Sequence, residues 1–184
     1  MSVQLVPLAE QHLPELAPML KDPDIDRFTR FPTPIPDDFL PRMLARYSEG
    51  RANGTHELFT ALDAGRVVGL AFVPRIDAEA RELELGYLIL PAERGRGLAT
   101  ELLRELTDWA FAVHQPIRIG LMIDADNIAS QKVAERAGYQ LEGTLRSTHV
   151  KAGRRADVQI WSRLDSDPPA QAGRLARITS AYQA

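Results

Sequence analysis

The sequence predicts an α+β fold in which a mostly antiparallel sheet contains one parallel pair of strands near its centre. Three strand patterns follow one another between residues 56 and 90, and a hairpin-type turn at residues 63–66 joins the first two. A helical pattern then leads to a short, nearly continuous apolar strand at residues 117–123. Because a helix between two strands makes a crossover connection, the strands on either side of it are expected to be parallel.

The N-terminal part of the chain predicts one strand and two helices. The strand is expected over residues 3–8, and apolar residues at helical spacing predict an amphipathic helix over residues 13–20. The segment 21–41 is rich in aspartate and proline, so regular structure is not expected there before about Asp37, where a second helix begins and runs to about Ser48. Its three phenylalanines are interpreted as packed beneath the segment, with a substrate-binding lid as the alternative.

After residue 55 the spacing of apolar residues changes from a helical pattern to patterns typical of strands, and the remaining elements are predicted from it. Strands are expected over residues 56–62, 67–73, 82–90, 117–123, 139–151 and 156–164. The helix after residue 97 is expected to end before Pro116, and Asp126 or Asn127 is expected to cap a shorter helix that stops at Gly138. Residues 1–164 are therefore predicted to form one domain, and residues 165–184 a tail that is disordered or forms a short docking helix.

Composition restricts the classes of function. A chain of 184 residues can bury a sizeable core, and a formal net charge of -3 argues against non-specific nucleic-acid binding as the main activity. No apolar run is long enough to cross a bilayer and no signal peptide is evident, so a cytoplasmic location without membrane attachment is expected. Cysteine is absent and the four histidines lack metal-ligand spacing, so neither a thiol nucleophile nor a metal site is expected.

A basic, glycine-rich turn stands between a predicted strand and a predicted helix. Residues 83–100 read LELGYLILPAERGRGLAT. Unpaired N–H groups at the positive end of a helix dipole form a site for phosphate, and glycine at 95 and 97 lets these groups turn inward. Two phosphate-binding patterns fail: the P-loop needs a Gly-Lys-Ser/Thr sequence, and the dinucleotide fingerprint needs a third glycine where Thr100 stands.

A third pattern matches, together with further motifs downstream. RGRGLA at residues 94–99 agrees with Arg/Gln-x-x-Gly-x-Gly/Ala at every fixed position and resembles the acyl-CoA loop of the GNAT superfamily of N-acetyltransferases. Residues 127–139 resemble the Asn-x-x-Ser helix of that family, which ends in Gly-aromatic. ELGY at 84–87 and GRRAD at 153–157 are similar to the branch that includes ribosomal-protein alanine N-acetyltransferases, the RimJ/RimL-like branch.

The resemblance covers roughly residues 3–164 and implies a fold and a CoA site. The fold is the GNAT-like three-layer α/β/α arrangement, in which the central parallel pair is splayed for CoA. The pyrophosphate would lie on the turn and the first helical turn, the pantetheine would pair with the upstream strand, and Asn127 would bond to the arm where it bends. The implied cofactor-binding residues are Leu88, Ile89, Leu90, Arg94, Gly95, Arg96, Gly97, Leu98, Ala99, Thr100, Asn127 and Ser130.

Two residues are the catalytic candidates. Strand alternation places Glu84 on the face opposite Leu83, where a carboxylate in a cleft could take the proton of an amine, directly or through water. Many family members carry a tyrosine seven residues after the asparagine; that position is Ala134 here, so Ser130 is the substitute acid for the leaving thiolate. His149 is an alternative base with a weaker claim.

The resemblance implies an acyl-CoA-dependent N-acyltransferase. Acetyl transfer from acetyl-CoA to a primary amine is the leading hypothesis, with a protein N-terminus or a small-molecule amine as acceptor. A CoA-binding sensor without turnover and an enzyme that uses a succinyl or other acyl donor are the alternatives. By analogy with the branch, a homodimer is one expected assembly. The motifs do not identify the acceptor, whose pocket is expected to be formed by variable segments such as 21–41.

Overall fold

The computed structural model of the protein describes residues 3–151 and 153–168. The strands of these ranges are β1 (Val3–Pro7), β2 (Glu57–Asp63), β3 (Arg66–Asp77), β4 (Glu82–Ile89), β5 (Arg118–Asp124), β6 (Gln140–Lys151) and β7 (Arg154–Leu164). They form one sheet with the order β1-β2-β3-β4-β5-β7-β6. Its neighbouring strands are antiparallel except for β4 and β5, which are parallel. The predicted α+β class and the central parallel pair are confirmed.

Helices cover both faces of this sheet. The α-helices of the described ranges are α1 (Leu13–Leu16), α2 (Pro23–Phe28), α3 (Phe39–Ala52), α4 (Leu98–His114) and α5 (Ile128–Arg136), and short 3-10 helices lie at Glu10–His12, Ala17–Lys21 and Pro91–Glu93. The amphipathic helix predicted over residues 13–20 is divided between α1 and a 3-10 helix. Pro18 lacks the N–H group that a continuous helix would bond to the carbonyl of residue 14, which explains the division.

The prediction that residues 21–36 lack regular structure is wrong. Helix α2 begins at Pro23, and the Asp22 side chain caps it by accepting a hydrogen bond from the Asp24 N–H at 3.1 Å. Proline at the first position of a helix loses no hydrogen bond, since that N–H has no partner in the helix. The downstream prolines suggested a break, whereas Pro23 itself favours a helix start.

The two sheet faces carry separate apolar cores. On the face covered by α4 and α5, fully buried Leu102, Leu106 and Trp109 pack against alternate residues of β4 and β5. The core on the face of α1, α2 and α3 includes Ile25 and Met43. Burial of each such side chain contributes about 1.5–3 kcal/mol. The result is the predicted three-layer arrangement, with helices on either side of the sheet.

Strands β4 and β5 pair only at one end. Their register runs from Glu82 opposite Arg118 to Glu84 opposite Gly120, although β4 continues to Ile89 and β5 to Asp124. The outer edges of both strands stay paired, β4 with β3 and β5 with β7. In the described part of the chain, the two strands therefore diverge and leave an open gap in the centre of the sheet.

The remaining sequence predictions can be placed briefly. Within the described ranges, no helix is both long enough and apolar enough to cross a membrane. The final hairpin lies at the predicted position, with β6 and β7 paired from Gln140 opposite Ser162 to Lys151 opposite Arg154. Most of the predicted tail, residues 169–184, lies outside the described residues.

Candidate active site

The β4 side of the gap is held by a close approach of β3. Leu90 N–H donates to the Val68 carbonyl at 2.9 Å, and Gly69 stands opposite Ile89. A Cβ atom on Gly69 would lie 2.1 Å from the Leu88 carbonyl oxygen, so only glycine fits this contact. The residues predicted to bind pantetheine are thus positioned from behind by a glycine on the neighbouring strand.

The turn that follows β4 presents backbone N–H groups at the start of α4. Gly95 and Gly97 have φ angles of 76° and 80°, the left-handed region that glycine adopts without strain. Gly97 is the N-cap residue and has no side chain to cap the helix. The first helical bonds run from Thr100 and Glu101 N–H to the Gly97 carbonyl, at 3.1 and 3.3 Å. The N–H groups before them are therefore available to an anion at the positive end of the helix dipole.

Both arginines of this turn are held by carboxylates. Arg94 pairs with Asp22 and, at 2.9 Å, with Asp24 at the start of α2. Arg96 pairs with Glu93 and, at 2.8 Å, with Asp63 at the end of β2. Their positive charge is locally compensated in this arrangement. The attraction for phosphate then comes mainly from the backbone of the turn.

Glu84 lies where the pairing of β4 and β5 ends. Leu83 and Leu85 are buried in the core on the α4 side, so Glu84 points to the other face, where it is half-buried. Burial raises the pKa of Tyr47 on α3; Arg46 opposes this shift, and the Glu84 carboxylate adds to it. The candidate base therefore faces the side of the sheet that α3 covers.

Helix α5 brings together the second group of predicted residues. The Asn127 side-chain oxygen accepts a hydrogen bond from the Ser130 N–H at 3.1 Å, so Asn127, rather than Asp126, is the cap. The Tyr87 hydroxyl donates to the Ser130 carbonyl oxygen at 3.4 Å, and burial raises the pKa of Tyr87 to about 12. Asn127 and Ser130 thus lie with Tyr87 on the α4 side, whereas Glu84 faces the opposite side.

Sequence reasoning assigned no role to two residues at the gap. Tyr87 was noted only as part of the ELGY motif, and its hydroxyl reaches α5, the helix in which Ala134 stands where the resemblance leads one to expect a tyrosine. Asp124, the last residue of β5, is buried and lies 2.8 Å from the Nδ1 atom of His149. A polar residue in an apolar strand was the available signal in each case.

Helix α2 is tied down at both ends beside the gap. Its start carries Asp22 and Asp24, which hold Arg94, and Arg27 pairs with Asp126 just before α5. At its other end, the Lys151 ammonium group donates to the Thr29 carbonyl at 3.0 Å. The segment thus connects the glycine turn, the α5 cap and β6.

Two of the three phenylalanines of the segment 21–41, Phe31 and Phe39, pack as the first interpretation expected. The Phe31 ring lies 4.6 Å from the Phe39 ring and 6.1 Å from the Phe72 ring. Phe28 is half-buried beneath the Arg27 guanidinium group, 4.7 Å from the ring centre. Among the residues in the described ranges, no group of three or more His, Cys, Asp or Glu side chains is arranged to hold a metal ion.

Comparison with known sequences identifies the family. The acetyltransferase (GNAT) domain model matches residues 2–140. The chain is 28% identical over 148 residues to the uncharacterized N-acetyltransferase p20 of Bacillus licheniformis, covering 78% of this chain and 82% of that protein. It is 28% identical over 100 residues to the uncharacterized N-acetyltransferase YoaA of Bacillus subtilis, covering 54% of this chain and only 56% of YoaA. Over 111 residues it is 24% identical to the ribosomal-protein-serine acetyltransferase of Escherichia coli, covering 60% and 62%.

Solved structures with the same fold carry CoA. RimL, a ribosomal L7/L12 alpha-N-protein acetyltransferase in complex with coenzyme A, superposes with a TM-score of 0.82 at 18% identity, covering 89% of this chain and 94% of that chain. The spermidine N-acetyltransferase of Vibrio cholerae, in complex with CoA and spermine, gives 0.79 at 23% identity, covering 90% and 97%. These likenesses establish the fold, and the family model establishes membership: the chain belongs to the GNAT acetyltransferase family.

Proposed function

We propose that the protein is an N-acetyltransferase that transfers the acetyl group of acetyl-CoA directly to a primary amine. The observation that carries this proposal is the gap between β4 and β5, which opens beyond Glu84 and Gly120 and leads to the glycine turn. A gap of this kind accepts an extended chain along a strand edge, and the turn accepts its phosphates. Acetyl-CoA has both parts.

Each part of acetyl-CoA has its own set of residues in this proposal. The pyrophosphate binds the backbone of residues 95–100, at the start of α4. The pantetheine lies in the gap against Leu88, Ile89 and Leu90, and Asn127 bonds to it from the α5 cap. Arg94 and Arg96 shape the turn through their ion pairs more than they bind phosphate.

The chemistry requires a proton acceptor and a way to release the thiol. The amine nitrogen attacks the thioester carbonyl, a C–N bond forms, and the C–S bond breaks. One proton leaves the nitrogen and one reaches the sulfur, so the products are an amide and free CoA. Glu84 is the candidate acceptor, acting through water, and Ser130 is the candidate donor to the sulfur.

The acceptor is proposed to enter from the face of α2 and α3, where Glu84 lies. The E. coli relative is named for a ribosomal-protein serine and the Vibrio cholerae structure for spermidine. Two classes of acceptor are therefore proposed: a protein N-terminus and a small-molecule amine. Residues 1–164 are proposed to act as one catalytic domain in the cytoplasm, with a homodimer as the proposed assembly.

Free thiol release with a panel of amines tests this function. Purified protein with acetyl-CoA should release thiol faster when a suitable amine is present, and mass spectrometry should show that amine 42 Da heavier, the mass of one acetyl group in place of one hydrogen. Succinyl-CoA in parallel would reveal a different donor preference. Tight CoA binding without amine-dependent release from any donor would instead support the CoA-sensor alternative.

A further inference from the structure

We propose that His149 accepts the proton of the attacking amine and that Asp124 is the positioning residue that holds its ring. The inference rests on the proposed acetyl transfer in the gap and assigns a further residue to that site. It starts from a buried pair of side chains that the motifs do not explain. Asp124 ends β5, and His149 lies near the end of β6.

The pair leaves one ring nitrogen of His149 unused. The Nδ1 atom lies 2.8 Å from each carboxylate oxygen of Asp124, and the two residues are only 3% and 6% exposed. The Nε2 atom is buried and has no hydrogen-bond partner within the described ranges. Because the carboxylate accepts the hydrogen on Nδ1, Nε2 of the neutral ring carries a lone pair and can accept a proton.

Strand geometry places this pair on the face from which the amine is proposed to enter. Glu84 and Gly120 are paired and so share a face, and Asp124 lies an even number of residues beyond Gly120. Ile119, Leu121 and Ile123 lie in the core on the opposite side. Asp124 and Glu84 therefore both face the layer of α1, α2 and α3.

The pair also lies at the level where the gap is open. Asp124 is four residues past Gly120, as Leu88 is four residues past Glu84, which corresponds to about 13 Å along each strand. His149 thus stands across the opening from the Leu88–Leu90 edge, against which the pantetheine arm that carries the thioester is proposed to lie. Glu84 lies at the narrow end of the gap, so it acts later in the proton path and receives the proton through water.

Helix α2 covers this position. Lys151, two residues after His149, donates to the carbonyls of Ile25 and Thr29 at 3.5 and 3.0 Å. The cover shields the ring from bulk water, and in this proposal the amine reaches the buried Nε2 atom from the gap. Charged groups on the elements around the pair include Asp26 and Lys151, which lie 4.0 Å apart, the Arg27–Asp126 ion pair, and Asp24, Glu84, Arg154, Arg155 and Asp157.

The proton transfer balances with the reaction already described. As the C–N bond forms, the lone pair of Nε2 takes a proton from the amine nitrogen, and the ring becomes a cation stabilised by the Asp124 carboxylate. The C–S bond breaks and the sulfur takes a proton either from water or from Ser130, whose hydroxyl then regains a proton from water. Loss of the Nε2 proton to solvent then restores the neutral ring.

Two substitutions test the role. His149→Gln should lower kcat about 100-fold with CoA affinity changed less than two-fold, because a positioned base contributes to the chemical step and not to cofactor binding. It should also remove the acid limb of the pH–rate profile, which Glu84→Gln should leave in place. Asp124→Asn should lower kcat about 10-fold or more, since an amide can donate to Nδ1 and turn the ring to the other tautomer.

A partly buried histidine provides the matched control. Among the described residues, the His114 Nε2 atom is also buried and without a hydrogen-bond partner, and its ring meets the Trp109 ring edge-to-face at 5.1 Å, on the α4 side. His114→Gln should alter stability and leave kcat and the pH profile unchanged. A kcat within three-fold of wild type and an unchanged acid limb in folded His149→Gln would overturn the inference.

Nitrogen NMR of His149 separates this inference from the proposed function. The neutral ring should carry its proton on Nδ1 in the wild type and on Nε2 in Asp124→Asn. A wild-type ring protonated on Nε2 overturns the inference even if amine-dependent thiol release is seen. Absence of thiol release with every amine would count against the proposed function, and the NMR result would still decide whether His149 can accept a proton.

Discussion

Gly69→Ala should destabilise the fold and weaken CoA binding together. The new Cβ atom would lie 2.1 Å from the Leu88 carbonyl oxygen, 3.1 Å from its carbonyl carbon and 3.2 Å from the Ile89 Cα atom. All three atoms belong to the β4 backbone, so no side chain can move aside to relieve the contact. Strand β4 must shift by about 1 Å towards the gap to restore ordinary van der Waals distances.

The expected cost follows from overpacking. Such insertions destabilise a protein by about 1–3 kcal/mol, and for a chain of this size each kcal/mol lowers Tm by roughly 2–4 °C. For a cost of about 2 kcal/mol, the middle of that range, thermal unfolding should show a Tm lower by about 4–8 °C. Because the shifted edge is the one proposed to pair with pantetheine, calorimetry should show CoA affinity reduced about ten-fold.

Gly86→Ala is the matched control for this prediction. Gly86 lies on β4, next to the strand that carries Gly69. A Cβ atom on Gly86 would lie 3.8 Å from the Phe72 side chain, which is an ordinary van der Waals contact. It should leave Tm within about 2 °C of wild type. If Gly69→Ala matched wild type in both Tm and CoA affinity, β3 would not hold the edge of the gap and the reasoning would be refuted.

Three further predictions test the turn, the base and a buried carboxyl. Gly97→Ala should cost about 1–2 kcal/mol, because its φ of 80° disfavours alanine, and should weaken CoA binding. Gly54→Ala, in the turn after α3, has a similar φ of 68° and open space around the new Cβ atom, so it should show the backbone strain alone in unfolding and binding measurements. Glu84→Gln should lower kcat about ten-fold with CoA affinity unchanged, and an unaltered rate would remove Glu84 from the proton path. Burial, with smaller effects of Asp108 and Glu101, raises the pKa of Glu105 to about 7 from an ordinary value of 4.5. The folded protein therefore holds this proton more tightly, so stability should fall as pH rises from about 4.5 to 7, by roughly 3 kcal/mol at most; Glu105→Gln should remove that loss, and equal pH dependence of Tm in both proteins would contradict it.

Local patterns predicted the positions of the strands well. The β4 alternation correctly placed Glu84 on the face opposite Leu83, which is buried in the core, because neighbouring side chains on a strand point to opposite faces. The helical crossover correctly predicted that β4 and β5 are parallel. Helix α2 was not predicted, because the prolines downstream of it indicate irregular structure, whereas Pro23 favours the start of a helix.

Local sequence patterns could not predict which side chains contact each other across the sheet. Nothing in the spacing of Asp124 and His149, which are 25 residues apart, indicates that they meet, because β7 enters the sheet between their strands. Asp22, which is 72 residues from Arg94 in the sequence, compensates the positive charge of Arg94, and this contact likewise depends on tertiary packing.

Residues 94–99 were enough to identify the cofactor class, because the resemblance to the acyl-CoA loop rests on a contiguous turn whose glycines and helix start are visible in the chain. The face on which Glu84 lies could also be predicted, because alternation is a local property of a strand. The divergence of β4 and β5 and the partners of Ser130 and His149 became visible only in the folded structure. These contacts connect segments that are far apart in sequence, so they depend on how the strands are ordered and packed and not on any local pattern.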